Sequence, residues 1–410
     1  MACRLCHLIG RMESNSSSAL GTIYPLVIPS QFGDTALGLA GGAGTPRMVY
    51  DPETGGWLLF FTGWRNANLR EVYVAEVNKD MTLSGIKKIL SSPPTRDAVN
   101  VIYDPWSDGF VLLTTEGGPL HIRHLDRQFQ ERSSKKIMEG MQDSGAGMLT
   151  IMGNYSEQNP NAAIFYPKGN CVLWRLVKRI DNLDATELGD EMVFSDWENS
   201  NDVIDAFRVN DRFGVLVEYF TDKQNWRSRV AICGNYLAPN VRALSASLPV
   251  PFADGHANFG HPSFTTGPDG KPKIMFSFFM SHAPPFKVAD YSRQWRHEIW
   301  VWELGPSVFD PSIYRAMHDR LAFDEKIARD PPVYDLLGAR KVILQVSSPR
   351  GKTARVKVEE MTSLREHVEG GQGSQQLIKA KEGKHVIESP LGTLRIRAEK
   401  GTTAWLTAEY

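Results

Sequence analysis

The sequence predicts an all-β protein: a five-bladed β-propeller followed by a linker helix and a small C-terminal antiparallel β-sandwich. Three observations predict this fold class: a β-rich unit that recurs about every 50 residues, turn residues at matching places in the units, and alternation of apolar and polar residues near the C-terminus. The predicted organisation is a flexible N-terminal arm over residues 1–20, the propeller over 21–306, the helix over 307–332 and the sandwich over 333–410.

The recurring unit starts with a short β-rich run that ends at a turn. Successive runs end 53, 48, 58 and 56 residues apart, at Tyr50, Tyr103, Ile151, Val209 and Thr265. A second apolar run follows each turn, as in WLLFFTG, FVLLTTE and FGVLVEY, and a third strand-like run usually follows it. Antiparallel strands at this period are typical of propeller blades, and a β-sandwich with irregular hairpins is the alternative.

The turns and the ends of the repeat support a closed ring. DPETGG, DPWSDG and GPDGKP contain the Asp, Pro and Gly residues that tight reversals require. A propeller usually closes by pairing a strand from one end of the repeat with strands from the other. Residues 21–30, GTIYPLVIPS, are well placed to supply that strand.

Beyond the repeat, two further patterns appear. The segment DPSIYRAMHDRLAFDEKIARDPP predicts one amphipathic helix, because Asp310 can act as N-cap and an apolar stripe follows at Ile313, Met317, Leu321 and Ile327. From Val333 onward, runs such as KVILQVSS and ARVKVEEM alternate with a period of two, which predicts the sandwich.

Composition narrows the classes of partner and compartment. The 410 residues carry a net charge of −1, so a general electrostatic attraction to nucleic acid is not expected. No apolar run approaches the roughly 18 to 20 residues that span a bilayer, and the N-terminus shows no signal peptide. We therefore expect no nucleic acid and no membrane, and a chain that is cytoplasmic or part of a virion or other assembly released without a signal.

Several motifs resemble one enzyme superfamily. YDPETGGWLLFFTG in the first unit, and GHPSF, DGKPKIMFSFF and HEIWVWEL in the last, are similar to the five-bladed glycoside hydrolases of the arabinanase/xylosidase and invertase/levansucrase groups. The resemblance covers residues 40 to 305. It implies a central funnel that recognises carbohydrate at the end where the first strand of each blade begins.

The resemblance also implies which residues surround the funnel. The five first runs place one column at its mouth: Thr45, Asp97, Ala146 or Gly147, Asp205 and His261. The second runs return to the same mouth, and the substrate-binding candidates are Thr45, Trp64, Arg65, Arg96, Glu116, Tyr219 and His282. Trp64 and Trp295 could stack on a sugar ring or serve as rim and core residues.

Hydrolysis of a glycosidic bond requires two carboxyl groups across the scissile bond. Asp97 matches the second acidic position of the superfamily, whereas the first falls on Thr45, which has no carboxylate. The third acidic position falls near Glu139 and Asp143, neither of which is in clean register. The candidate catalytic residues are therefore Asp97, Asp205, Glu139, Asp143 and Glu218, and Asp205 is equally compatible with a turn-capping role.

Gly260-His261 matches a pair that, in many arabinanase-like enzymes, holds a cation through water. The resemblance thus implies a calcium or sodium ion in the channel with His261 nearby, or else a buried histidine bonded to backbone. No other cofactor is expected.

Two functions follow from these patterns. Thr45 favours a catalytically degenerate, glycoside-hydrolase-like propeller that binds glycan or acts as a structural module of a larger assembly, such as a virion or surface appendage. Other subunits would then contact the N-terminal arm and the C-terminal sandwich. The alternative is an active glycosidase that cleaves a plant or microbial polysaccharide with a pair of funnel carboxylates.

Overall fold

The computed structural model shows a chain that is nearly all β. It describes residues 21–27, 42–66, 69–91, 95–116, 119–139, 148–152, 155–196, 202–209, 212–222, 225–233, 237–238, 240–248, 257–281, 295–304, 316–336, 338–348, 354–364, 374–380, 383–388 and 390–410. No helix in these ranges is long and apolar enough to cross a membrane.

After strand β1 (Gly21–Val27), the described strands up to residue 304 form five antiparallel meanders. The first contains β2 (Gly42–Asp51), β3 (Gly56–Asn66), β4 (Leu69–Val77) and β5 (Leu83–Ser91). The second contains β6 (Thr95–Asp104), β7 (Gly109–Glu116), β8 (Leu120–Leu125) and β9 (Glu131–Met138). The third contains β10 (Met148–Ile151), β11 (Ala162–Lys168), β12 (Cys171–Lys178), β13 (Glu187–Leu188) and β14 (Met192–Asp196), with a short 3₁₀ helix at Leu183–Ala185.

The fourth meander contains β15 (Asp202–Val209), β16 (Arg212–Asp222), β17 (Asn225–Cys233) and β19 (Leu244–Ser247), with the two-residue strand β18 (Val241–Arg242) before β19. The fifth contains β20 (Ala257–Thr266), β21 (Pro272–Ser281) and β22 (Trp295–Leu304). Its fourth strand is β1, which pairs antiparallel with β22 from Gly21 opposite Leu304 onward. The N-terminal strand therefore completes the last meander, as the sequence predicts.

The first strands of the meanders pack against one another in cyclic order. β2 contacts β6, β6 contacts β10, β10 contacts β15, β15 contacts β20, and β20 contacts β2. This arrangement around one axis agrees with a propeller fold.

A separate apolar core lies between each pair of neighbouring meanders. Side chains alternate between the two faces of a strand, so Phe60 of β3 packs against Phe110 of the second meander, whereas Leu59 and Phe61 pack with Met275 of the fifth. Both faces of these strands are buried. This explains why the second runs read as unbroken apolar stretches rather than as alternating ones.

The aspartates of the repeated Tyr-Asp-Pro turns accept hydrogen bonds that link each of the first two meanders to the next. The carboxylate of Asp51 accepts hydrogen bonds from Thr54 and from the backbone N–H of Glu53 within its own turn. It also accepts two bonds from Arg127 of the second meander, at 2.9 and 2.8 Å. Asp104, at the matching position, caps its turn through the N–H groups of residues 106 and 107 and accepts a bond from Tyr155 of the third meander.

The C-terminal region contains β23 (Ala316–Ala322), helix α1 (Glu325–Arg329), β24 (Val333–Asp335), β25 (Lys341–Ser347), β26 (Ala354–Met361), β27 (Ser374–Ala380), β28 (Gly383–Glu388), β29 (Thr393–Ala398) and β30 (Thr403–Glu409). One eight-stranded sheet has the order β15-β16-β17-β19-β23-β30-β25-β28, so it continues the fourth meander into the C-terminal region. The other has the order β18-β24-β29-β26-β27 and includes the short strand β18. A shared apolar core joins these sheets to the fourth and fifth meanders through residues such as Leu216, Trp300, Val342 and Val356.

The prediction of one long helix over residues 307–332 is wrong for the part that the structure describes. Ala316–Ala322 is a strand paired with β30, and only Glu325–Arg329 is helical, with Asp324 as its N-cap. Met317 and Leu321 are buried four residues apart, a spacing that suits both a helix and the inward face of a strand. The residue between them on that face is Asp319. Because Asp319 is charged, the sequence does not show the alternation of apolar and polar residues that would predict a strand.

Asp319 is buried because three other segments donate hydrogen bonds to it. Its carboxylate accepts bonds from the backbone N–H of Asp196 at 2.8 Å, the hydroxyl of Tyr334 at 2.7 Å and the guanidinium of Arg242 at 3.2 Å. Burial raises the pKa of Asp319 to about 6, although Arg242 opposes this rise. The contacts connect the third meander, the short strand β18, and strands β23 and β24.

Candidate functional site

A cavity of about 410 Å³ lies where the first strands of all five meanders converge. Its lining comes mainly from the C-terminal halves of these strands: Arg47, Met48, Val49, Tyr50, Asn100, Val101, Ile102, Tyr103, Leu149, Thr150, Ile151, Asp205, Ala206, Ser263 and Phe264, with Pro52 and Trp57 from the first turn and β3. The volume lies within the range typical of small-molecule sites. The cavity therefore occupies the axis of the ring.

Aromatic side chains form one wall of the cavity. The ring of Tyr50 lies 5.3 Å from that of Trp57 at an angle of 52°, and Tyr50 is 46% exposed. Tyr103 also lines the cavity, and the guanidinium of Arg127 lies 5.6 Å from its ring centre. Because Tyr50, Pro52 and Tyr103 lie at the turn between first and second strands, the cavity opens at that end. The resemblance places the funnel mouth at the opposite end, where the first strands begin.

The buried part of the cavity contains one cation and one carboxylate. A guanidinium nitrogen of Arg47 lies 3.7 Å from a carboxylate oxygen of Asp205, and both side chains are almost completely buried. The other carboxylate oxygen accepts a hydrogen bond from the backbone N–H of Phe264 at 2.6 Å. Burial raises the pKa of Asp205 to about 6 despite the attraction of Arg47, and burial likewise lowers the pKa of Arg47.

Arg47 reaches across the axis. It starts from the first meander, donates to the carbonyl of Pro46 at 3.0 Å, contacts the sulfur of Met148 in the third meander at 3.2 Å and pairs with Asp205 in the fourth. Its side chain therefore links the first, third and fourth meanders. Asn100 adds a second tie between meanders, because its side-chain oxygen accepts the N–H of Leu149 at 2.9 Å.

Thr45 is held in place by hydrogen bonds rather than exposed to a ligand. It is 3% exposed, its N–H donates to the hydroxyl of Ser277 at 3.0 Å, and its hydroxyl lies 2.6 Å from that of Thr62. Its φ of 47° is unusual for a β-branched residue. This strained residue joins the first meander to the fifth through its contact with Ser277.

His261 occupies the equivalent place in the fifth meander. Gly260-His261-Pro262 matches Gly44-Thr45-Pro46, His261 also has a φ of 47°, and both segments interrupt the strand register. His261 is 7% exposed. Within the described part of the chain, no three His, Cys, Asp or Glu side chains group as they would around a metal ion, so a channel cation stays a prediction.

Of the predicted catalytic residues, Asp205 lines the cavity, and among the described residues it is the one carboxylate that does so. Glu139 is exposed and paired with Lys136, beyond the end of β9. Asp143 and His282 lie outside the described residues. For a further group the structure describes the strand but not the side chain: Trp64, Arg65, Arg96, Asp97, Glu116, Glu218, Tyr219 and Trp295. Arg96 and Asp97 lie in a register irregularity of β6, equivalent to that at Thr45 in β2.

Most of the residues that line the cavity have no signal in the sequence that marks them as site residues. Arg47 had a usable signal, because an arginine within an apolar strand run requires a partner when that strand is buried. Tyr50 and Tyr103 end the first runs of the repeat, a position that predicts a strand end and gives no sign of a cavity. Asn100 and Thr150 have no local signal that distinguishes them from ordinary strand residues.

Comparisons with known proteins concern the fold alone. No protein-family model and no curated protein matches the chain. Among solved structures, the catalytic domain of a Coprinopsis cinerea alpha-L-arabinofuranosidase has a TM-score of 0.46 at 13% identity, covering 70% of this chain and 98% of that one. Sucrose-6-phosphate hydrolase from Lactobacillus gasseri has a TM-score of 0.45 at 9% identity, and the match covers 99% of this chain and 96% of that one. An endo-arabinase from Bacteroides thetaiotaomicron has a TM-score of 0.41 at 17% identity, and the match covers 65% of this chain and 95% of that one.

The likeness of this chain to these three glycoside hydrolases is one of fold alone.

Proposed function

We propose that this chain is a five-bladed propeller that binds a neutral carbohydrate in its axial cavity without cleaving it. The observation that carries the proposal is the composition of the cavity: an aromatic wall at Tyr50, Trp57 and Tyr103 and a buried polar end at Arg47 and Asp205. Aromatic faces accept the apolar face of a sugar ring, whereas fixed donors and acceptors pair with its hydroxyls.

The charge of the cavity favours an uncharged ligand. Arg47 and Asp205 contribute one positive and one negative charge and lie close enough to offset each other. An anionic sugar would meet Asp205, and a cationic one would meet Arg47, so either would leave a buried charge poorly compensated. A neutral sugar can instead accept hydrogen bonds from Arg47 and donate to Asp205.

Binding without hydrolysis follows from the number of carboxylates. The usual glycosidase routes require two carboxyl groups about 5 to 10 Å apart. In the described cavity Asp205 is the one carboxylate, and it accepts a hydrogen bond from Phe264 and pairs with Arg47. The residue that corresponds to the first acidic position of the superfamily is Thr45, which has no carboxylate. The role within a larger assembly, a virion or a surface appendage, rests on this loss of a carboxylate and stays a prediction.

Active hydrolysis is the second candidate. A pKa of about 6 would let Asp205 donate a proton near neutral pH, which is the behaviour of a general acid. Asp97 would have to supply the second carboxyl group. Release of reducing sugar from arabinan, xylan, fructan or β-mannan that is abolished by both Asp97→Asn and Asp205→Asn would establish this alternative and end the non-catalytic proposal.

Binding can be tested with a matched pair of exposed aromatic residues. Tyr50 and Trp106 are each 46% exposed, but only Tyr50 lines the described cavity. We expect titration calorimetry with neutral oligosaccharides from the same four polysaccharides to detect a ligand. Tyr50→Ala should weaken its binding about tenfold, a loss of about 1.4 kcal/mol, and Trp106→Ala should leave it unchanged. Equal effects of the two variants, or no binding by the wild type, would contradict the proposal.

A further inference from the structure

Strand β28 is the last strand of the sheet with the order β15-β16-β17-β19-β23-β30-β25-β28, and β25 is its one partner among the described strands. One long edge of Gly383–Glu388 therefore has no strand partner in the described part of the chain. We name this edge of β28 the open edge. The backbone N–H and C=O groups along such an edge can pair with a strand from another molecule.

Three side chains of β28 lie on the outer face of this sheet, away from the shared core. Lys384, Val386 and Glu388 are exposed, whereas Ile387 is buried in the core. Lys384 and Glu388 are four residues apart, about 13 Å along a strand, which is too far for an ion pair within β28. Neither of them forms an ion pair with a residue that the structure describes. Both charges are therefore available to a partner at the open edge.

The order of the charges along β28 is self-complementary. If a second copy pairs antiparallel along the open edge with a two-fold axis at Val386, Lys384 of each copy lies directly opposite Glu388 of the other. Opposite charges at directly opposite positions stabilise an antiparallel pair. If the axis moves by one residue toward the N-terminus, Lys384 lies opposite Val386 instead, and a move the other way places its partner beyond the end of the strand. The charges therefore favour one register.

An apolar stripe on the same outer face leads to the open edge. Ile343 of β25 lies directly opposite Val386, and Trp405 of β30 lies opposite Gln345, which makes it a diagonal neighbour of Ile343. Diagonal neighbours on a sheet face are within reach of an aromatic side chain. Val386 is 47% exposed and Trp405 37%. With the axis at Val386, the stripes of two copies would meet at their Val386 side chains and form one continuous apolar surface.

We propose that the chain forms a two-fold dimer by antiparallel pairing of β28 with β28 of a second copy. The pairs of Lys384 with Glu388 fix the register, and the pairing joins two eight-stranded sheets into one. Charged residues on an edge strand usually prevent pairing, but this arrangement of both signs blocks most registers and permits one. Because one strand pair buries less than the roughly 1,600 Å² of a typical stable interface, we expect dissociation in the micromolar range.

Charge reversal tests the pairing in the full chain. We expect sedimentation to detect a concentration-dependent dimer of the wild type. Lys384→Glu and Glu388→Lys should each weaken this dimer at least about tenfold, because like charges would then face each other. An equimolar mixture of the two variants should dimerise again, since one copy then presents two acidic residues to two basic residues of the other. Lys79→Glu, at an exposed lysine of the first meander, is the matched control and should dimerise as the wild type does.

A second readout locates the interface. Hydrogen exchange at the backbone amides of Gly383–Glu388 should slow as the protein concentration rises through the range of dimerisation. Tyr50→Ala should dimerise as the wild type does, so this proposal and that of carbohydrate binding fail independently. A monomer at every concentration, or a dimer that neither charge reversal weakens, would overturn the proposal. Failure of the mixed variants to dimerise would overturn it as well, since the mixture restores both charge pairs.

Discussion

Replacing Arg47 with methionine should destabilise the fold because it leaves the carboxylate of Asp205 buried without its cation. The two charges lie 3.7 Å apart. At an effective dielectric constant of about 20, an attraction over this distance amounts to about 4.5 kcal/mol. Methionine retains most of the side-chain volume, so the loss reports the charge rather than a cavity. We expect the free energy of unfolding at pH 7 to fall by about 3 to 5 kcal/mol.

A second replacement should rescue the first. Asp205→Asn removes the buried charge but keeps a side-chain oxygen that can accept the N–H of Phe264. The Arg47→Met/Asp205→Asn double variant should therefore recover most of the lost stability, since well-packed neutral groups often replace a buried ion pair without loss. Arg329→Met, on the short helix α1, is the control for a generic arginine replacement and should change stability by less than about 0.5 kcal/mol.

The pH dependence supplies an independent check. The folded-state pKa of Asp205 is raised from 3.8 to about 6, so its protonation favours the folded state, and its contribution to stability falls as pH rises from about 4 to about 6. Without Arg47 the pKa should rise further. The deficit of Arg47→Met should thus shrink when urea unfolding is measured at pH 5 instead of pH 7. An equal deficit at both pH values, or no rescue by Asp205→Asn, would refute the reasoning.

Three further predictions concern the framework around the site. Asp51→Ala should lower the free energy of unfolding by about 3 kcal/mol, because Arg127 loses a bidentate carboxylate partner; since hydrogen bonds from Arg127 and Thr54 lower the pKa of Asp51 against the effect of burial, this difference should begin to shrink as the pH falls below 3.8 and should be lost only below the lowered pKa of the folded state. Gly109→Ala should lower the thermal midpoint, because its Cβ would lie 2.0 Å from the carbonyl oxygen of Leu125, whereas Gly56→Ala meets only a side-chain oxygen at 3.2 Å; equal midpoints would contradict this packing. Asp319→Ala should lower the free energy of unfolding, measured in urea, by about 3 to 5 kcal/mol, because the donors of three segments lose their acceptor; a loss below about 1 kcal/mol would show that these contacts do not hold the segments together.

The strand units were predictable because turn chemistry and burial act locally. The Tyr-Asp-Pro turns require Asp to cap the reversal, and strands buried on both faces require unbroken apolar runs such as WLLFFTG. The strand at Ala316–Ala322 was not predictable for two reasons. The spacing of Met317 and Leu321 fits the period of a helix and also that of a strand, and Arg242, the cation that pairs with the buried Asp319, is 77 residues away in the chain.

The candidate site was only partly predictable for a similar reason. Asp205 was identified because it belongs to the column of first-strand residues. Its partner Arg47 is 158 residues earlier in the chain, and no local pattern connects the two. The polar end of the cavity depends on this contact across the axis, which exists only once the ring has closed.

A crystal structure with the tightest-binding neutral oligosaccharide tests the central claim most directly. We expect an intact sugar against Tyr50 and Tyr103, with hydroxyl groups within hydrogen-bonding distance of Arg47 and Asp205. A sugar bound instead at the starts of the first strands, or found cleaved in the cavity, would contradict it.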